Sequence, residues 1–313
     1  MNDIEKRQNE SFSVELISSF RQKYSDVKFL SSVRLWFVVY ISISITVLTA
    51  ILNSSTFMTY FGWNTVDISM FVALYCLLIT FVDSLSLTKW IDEGKELAAR
   101  LQEKFDCYVY SMFWNNILCD EEPSIEVVHQ LNQRFLSKPK NDVSKLLDWY
   151  NPKVGSIELG RGVLLCQRMN LNWDKNLRET VNRRVQLLSA IWFVILVVLS
   201  LVNGITLMTF IISVLVPFVP VFVFSYKLVQ DNKRSIANLL RYKGELNKVW
   251  AESTGSSSRV IDQSMLRNIQ NEIYIHRKSN RPISDKFYWK TKQENEDEAL
   301  FTIDKLISNL QDN

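Results

Sequence analysis

Two stretches of the chain carry no basic residue, and they set its organisation. From Val185 to Tyr226 there is no Asp, Glu, Lys, Arg or His, and only Asn203-Gly204 interrupts the apolar run. Each half holds the roughly 20 apolar residues that a helix needs to cross about 30 Å of hydrocarbon, and Asn-Gly is a tight-turn dipeptide. The pattern predicts a transmembrane hairpin over 185–226, with helices at 185–202 and 205–226. Nearer the N-terminus, 35–52 and 68–87 predict a second hairpin within 35–88, whose connector Asn53 to Asp67 contains Gly62 and carries Tyr60, Phe61 and Trp63. All 36 Lys and Arg residues lie outside the two hairpins. By the positive-inside tendency, 1–34, 89–184 and 227–313 are then cytoplasmic, with both termini inside.

The polar segments read as helical. Phe12 to Leu30 is an amphipathic piece of an N-terminal arm, with Val14, Leu16, Ile17 and Phe20 apolar, and it either lies on the membrane surface or packs on the soluble domain. Ile91 to Phe105 puts Leu97, Ala98, Leu101 and Phe105 on one helix face. Pro123-Ser124 opens another helix after Asp120, Glu121 and Glu122, which suit its dipole. Pro139, Pro152, Gly155, Gly160 and Gly162 mark loops, and Val163 to Arg184 runs as a helix into the third span. The tail continues the fourth span through Trp250, breaks at Ser253 to Ser258, resumes to about Lys278, stops at Pro282 and ends in an amphipathic helix around Ala299, Ile303 and Leu310. The expected fold class is an all-α membrane protein: four transmembrane helices in two hairpins, a helical cytoplasmic domain at 89–184, an arm at 1–34 and a helical tail at 227–313.

Composition narrows the function. Formal net charge is +3, too small for a duplex DNA or RNA partner. The four cysteines, Cys76, Cys107, Cys119 and Cys166, form no C-x-x-C pair, and His129 and His276 have no ligand spacing, so neither a disulfide framework nor a metal site is expected. The first thirty residues have no signal-peptide core, which leaves the first span as the insertion signal. No Ser-His-Asp order, Gly-rich phosphate loop or paired-carboxylate motif appears, and neither an enzyme nor a cofactor is expected.

Candidate chemistry falls in two places. In the membrane, Asp83 is an ionisable group that either lines a water path or snorkels to the interface. Thr209 and Ser213 are hydroxyls at helical spacing. Pro217 and Pro220 remove backbone donors and predict a kink in the fourth span, either a gate or static packing. On the soluble side Gln167, Asn170 and Arg178 form a polar helix stripe with Asp174, flanked by Arg168 and Trp173; in the tail Gln270, Tyr274 and Arg277 share a face. Amides, an aromatic ring and guanidinium groups suit a nucleotide-like anion. The same residues also suit an internal network, in which Asp174 and Arg178 are an i,i+4 pair.

The order of these pieces resembles a known family, the SMODS-associated four-transmembrane pore-forming effectors of bacterial nucleotide-signalling immunity. The resemblance is carried by Lys104-Phe105-Asp106-Cys107, Trp114-Asn115, Asp148-Trp149-Tyr150, Cys166-Gln167-Arg168 with Asn170, Trp173-Asp174 and Leu177-Arg178, then Ile269-Gln270, Ile273-Tyr274, Arg277 and Pro282. It implies an effector of CBASS-like antiphage systems that permeabilises the bacterial inner membrane under a cyclic oligonucleotide made by a nucleotidyltransferase sensor. Four spans make a poor pore alone, so self-association is expected. Two other classes are a membrane-anchored scaffold that recruits a partner protein and, less favoured by the few intramembrane polar residues, a small transporter.

Overall fold

The computed structural model describes residues 1–52, 55–66, 68–82, 88–202, 206–211, 215–254, 261–283 and 285–311, and among them every regular element is a helix. In chain order these are α1 (Ile4–Gln8), α2 (Ser11–Leu35), α3 (Ser42–Leu52), α4 (Ser55–Tyr60), α5 (Ser69–Val82), α6 (Thr88–Tyr110), α7 (Asn116–Cys119), α8 (Ile125–Leu136), α9 (Leu159–Val202), α10 (Leu207–Phe210), α11 (Val216–Thr254), α12 (Gln263–Ser279) and α13 (Asp285–Gln311). The chain divides into a polar unit, 1–28, 92–179 and 234–313, and an apolar unit, 29–91 and 180–233. The ranges of α2, α6, α9 and α11 each contribute residues to both.

In the polar unit the N-terminal segment is built into the core. Ile4, Leu16, Ile17 and Phe20 are buried with Leu101 and Phe105 of α6 and Leu131 of α8. The buried face of α2 is only partly apolar, and its hydroxyls are satisfied across the helix contact: Ser18 Oγ donates to Asn132 Oδ1 at 2.6 Å, and Ser19 Oγ to the Val128 carbonyl at 2.8 Å. The α8 start is capped by Ser124, whose side chain accepts from the Val127 N–H. Lys104 pins the same turn, pairing with Glu122 at 3.1 Å and donating to the Pro123 carbonyl at 2.8 Å.

Residues 148–150 are gripped by α1. Gln8 exchanges hydrogen bonds with the Tyr150 backbone, at 2.7 Å from its N–H and 3.1 Å to its carbonyl. Asn9 Oδ1 accepts from the Asp148 N–H at 2.9 Å, which fixes Asp148 at φ +50°, a left-handed conformation that Asp tolerates. The grip delivers Tyr150 onto Phe105, with stacked rings 6.0 Å apart, and Trp149 edge-on to Phe20 at 5.3 Å.

Helix α9 begins at Leu159, so Gly160 and Gly162 lie in its first turns rather than in a loop. Close approach explains them. A Cβ on Gly162 would stand 2.7 Å from Asn2 Nδ2 and 3.1 Å from the Val154 carbonyl oxygen. Asn2 cannot easily give way, because its Nδ2 donates to the carbonyls of Val154 and Ile157 at 2.7 and 2.9 Å while its Oδ1 accepts from the Ile4 N–H.

The apolar unit has a small buried cluster of Leu196, Phe218 and Val221, and many of its large apolar side chains stand exposed, among them Met70, Phe71, Leu187, Leu188 and Leu201. Between α2 and α3 the helix widens into a π segment, Trp36–Ile41, and Tyr75 of α5 donates its hydroxyl to the Phe37 carbonyl there at 2.9 Å. Four spans were expected; among the described residues two helical stretches, Ser11–Thr49 and Leu159–Val198, are long and apolar enough to cross a membrane. The expected second and fourth spans are cut by residues outside the description: 83–87 follow α5, whose 14 residues reach about 21 Å, and 203–205 and 212–214 flank the four-residue α10. Pro217 and Pro220 lie in helical backbone described from residue 215 onward, and 212–214, which precede them, lie outside the described residues, as does the expected kink.

Gly162→Ala should gain about 1 kcal/mol of helix propensity and lose about 1–3 kcal/mol to overpacking. A net fall in the thermal unfolding midpoint of the detergent-solubilised chain is expected, with faster proteolysis of the first ten residues; a rise would show that Asn2 yields freely.

Candidate functional site: a buried charge network and an adjoining cationic cavity

Three helices of the polar unit meet on two carboxylates. Glu103 and Asp106 of α6 have no exposed surface, and a buried ionised carboxylate persists only with partners. Helix α12 supplies them: Arg267 pairs with Glu103 Oε1, Arg277 Nη1 lies 2.6 Å from Asp106 Oδ2, and Gln270 Nε2 donates to Glu103 Oε2 at 2.8 Å and Asp106 Oδ2 at 2.9 Å. Helix α9 adds Gln167, whose Nε2 donates to Gln270 Oε1 at 3.2 Å and to the Leu266 carbonyl at 3.0 Å. Tyr150 donates to Asp106 Oδ1 at 2.5 Å and accepts from Asn170 Nδ2 at 3.1 Å.

The electrostatics follow from burial. Desolvation pushes the Glu103 carboxyl up, and Arg267 offsets only part of it. Desolvation lowers Arg277, but Asp106 and its neighbours outweigh this and its pKa ends above the usual guanidinium range. Tyr150 rises through burial and then through the Asp106 charge, so its hydroxyl stays a donor.

A second pair lies further along the same two helices. Arg178 Nε donates to Asp174 Oδ2 at 2.8 Å, and His276 Nε2 meets the same oxygen while its Nδ1 contacts Asn280 Nδ2 at 2.9 Å. Burial raises the Asp174 carboxyl, but Arg178 and His276 outweigh it and hold the group well below the usual carboxylate range.

The predicted ligand residues therefore separate into three groups. Gln167, Asn170, Gln270 and Arg277 converge on Asp106 and Glu103, and Arg178 joins Asp174, while Gln167 Oε1 and Arg277 Nη2 have no hydrogen-bond partner among the described residues. Tyr274 departs from its expected partners: it lies roughly 40° round the helix from Gln270 and is fully buried with Ala99 and Cys119. Burial raises its hydroxyl pKa. Arg168 and Trp173 belong elsewhere, on a cavity of about 40 Å³ between α9, α11 and α13, with Asn172, Lys243, Asn295 and Glu298. A wider groove beside α1, lined by Asp3, Lys6, Arg7, Glu10 and Tyr108, mixes both signs of charge and favours neither.

Sequence reasoning passed over Glu103, Arg267 and Lys243. One signal for the network was present: Asp106 adjoins Phe105, a residue on the apolar face of α6, so its carboxylate was bound to reach the core. Among the membrane candidates, Asp83 and Ser213 lie outside the described residues, and of Thr209, Pro217 and Pro220 only the helical backbone is described.

Long helices with apolar runs, beside a polar unit tied by buried ion pairs, define an all-helical protein with two helices long and apolar enough to cross a membrane among the described residues. The family model described as the SMODS-associating 4TM effector domain matches residues 2–306, and the chain belongs to that family. It is 24% identical over 302 residues, 95% of each chain, to a Bacillus cereus (strain VD146) protein named as a probable CBASS effector molecule. No solved structure matches the chain.

Removing one member of a buried pair strands the other charge. Asp106→Asn should destabilise the full chain by about 3–5 kcal/mol, measured by thermal unfolding in detergent, and a change below about 1 kcal/mol would show that Arg277 finds another partner. Asp174 gives a pH signature. Its folded pKa is lowered from 3.8, so its stabilisation is complete above about pH 4 and is lost as pH falls through the lower folded value. Asp174→Asn should lower the unfolding midpoint at pH 7 and flatten the decline below pH 4; an unchanged acid limb would remove Asp174 as its source.

Proposed function

We propose that this protein is a membrane effector of CBASS antiphage defence that permeabilises the bacterial inner membrane under the control of a cyclic oligonucleotide. Family membership and the similarity to a CBASS effector support the role in defence. The observation that carries the membrane part is the apolar unit, which exposes a large hydrophobic surface from sequence stretches with no Lys or Arg. Such patches mark membrane or protein contacts, and stretches of this length match a bilayer.

In this reading the two hairpins 35–88 and 185–226 span the membrane, both termini are cytoplasmic, and several copies assemble around the opening. The polar unit receives the nucleotide made by a partner nucleotidyltransferase. Helices α2, α6, α9 and α11, each with residues in both units, carry the response. The nucleotide shifts the equilibrium only by the difference in its affinity for the two states.

Purified protein in liposomes holding a trapped dye tests the reading. Leakage should change on adding one member of a panel of cyclic di- and trinucleotides. Constant leakage across the panel, with insertion verified by protease protection, would favour a membrane-anchored scaffold instead.

A further inference from the structure

Several cations of the polar unit face a carboxylate, and two that do not share one cavity. Arg267, Arg277 and Arg178 each face a carboxylate, whereas Arg168 and Lys243 have no carboxylate within ion-pair distance among the described residues. Both line the cavity between α9, α11 and α13. Their polar contacts are neutral: Arg168 Nη1 meets Asn247 Oδ1, and Lys243 Nζ donates to Asn172 Oδ1 at 2.6 Å. Burial, followed by the repulsion of Arg168 and Lys175, pushes the Lys243 ammonium below its usual range, and Glu298 opposes them. Burial alone lowers Arg168. Positive charge is thus gathered here without full compensation.

A second observation comes from α13. Asn295 is only 6% exposed and lines the cavity, and its Nδ2 has no hydrogen-bond partner among the described residues. A buried amide donor left unmade costs about 1–3 kcal/mol. Its Oδ1 is occupied, accepting from Asn176 Nδ2 at 3.1 Å. Two cations and an unused N–H donor thus border one space of about 40 Å³. One water needs roughly 10–15 Å³ on this measure, so the cavity has room for a single tetrahedral oxyanion and none for a nucleoside.

Glu298 is a carboxylate that borders this space. Its Oε1 accepts from Asn172 Nδ2 at 2.9 Å and its Oε2 from Asn176 Nδ2 at 2.8 Å, which fastens α13 to α9. A carboxylate beside the cavity repels an incoming phosphate, so ligand entry and the present seat of α13 compete.

We infer that Arg168, Lys243 and Asn295 form the subsite for one phosphodiester of an oligonucleotide ligand, and that Glu298 is a built-in competitor whose displacement moves α13. The inference rests on the nucleotide-controlled reading above and gives it a location. Trp173, on the same wall, is placed to stack on a base once α13 has moved, since every base offers a π-face.

Opposite signs test it. Binding of the cyclic di- and trinucleotide panel, and separately of inorganic phosphate, is measured calorimetrically on the full chain in phosphatidylcholine nanodiscs, with helix content checked for each variant. Lys243→Gln and Arg168→Gln should weaken the nucleotide that binds wild type by roughly tenfold to a hundredfold, the effect of one charged hydrogen bond. Glu298→Gln keeps an acceptor for Asn172 and should tighten it several-fold. A purely structural role would weaken binding in all three variants.

Nucleotide binding within twofold of wild type in Lys243→Gln and Arg168→Gln, with leakage still nucleotide-dependent, would overturn the subsite and leave the proposed function standing. Wild type that binds no nucleotide and leaks equally with all of them would overturn both. Inorganic phosphate bound alone, without any nucleotide, would overturn the oligonucleotide assignment.

Discussion

The polar unit depends on one condition: two carboxylates placed where no water reaches them must be met by two guanidinium groups. Glu103 and Asp106 come from α6, and Arg267 and Arg277 from α12. Gln167 and Tyr150 complete the acceptors' geometry from α9 and from the segment that α1 holds. Coulomb attraction and desolvation nearly cancel in such a site, so the network adds little net stability over an apolar core of the same shape. What it does is forbid alternatives, because any other register of α12 on α6 would strand charges.

That distinction separates the two sets of polar residues on α9. Those at 167, 170, 174 and 178 are engaged inward and hold the helix in place. Arg168, beside this stripe, turns with Trp173 toward α11 and α13 and keeps its charge unpaired. A single helix thus carries one face engaged with α12 and another whose Arg168 meets only a neutral side chain.

Much of the helical fold was legible in the sequence. Ser124 as a cap, the helix ahead of the third uncharged run and the stop before Pro282 all follow from local chemistry, which the chain obeys. The core role of the N-terminal segment was less legible, because Ser13, Ser18, Ser19 and Gln22 sit on the buried side of α2 and blur its periodicity; the satisfaction of Ser18 and Ser19 by Asn132 and the Val128 carbonyl is a tertiary fact. Gly162 misled for a similar reason: a glycine that admits a neighbour inside a helix looks like one that breaks it. The candidate site was half visible. Amides and arginines at helical spacing announced a network, and the Asp174–Arg178 pair was local, but Gln270 and Arg277 face inward because of carboxylates 164 to 171 positions away, beyond any local pattern.

The distance between those partners has a consequence for synthesis. Asp106 and Arg277 are 171 positions apart, and both uncharged residues of the second predicted hairpin's turn, Asn203 and Gly204, are made between them. At about 5–20 residues per second, the acidic half of the network waits roughly ten to thirty seconds for its counter-charges. During that interval the polar unit holds two carboxylates with no guanidinium to meet them and cannot close. A chain that ends before Arg267 would leave Glu103 and Asp106 without either guanidinium group that meets them.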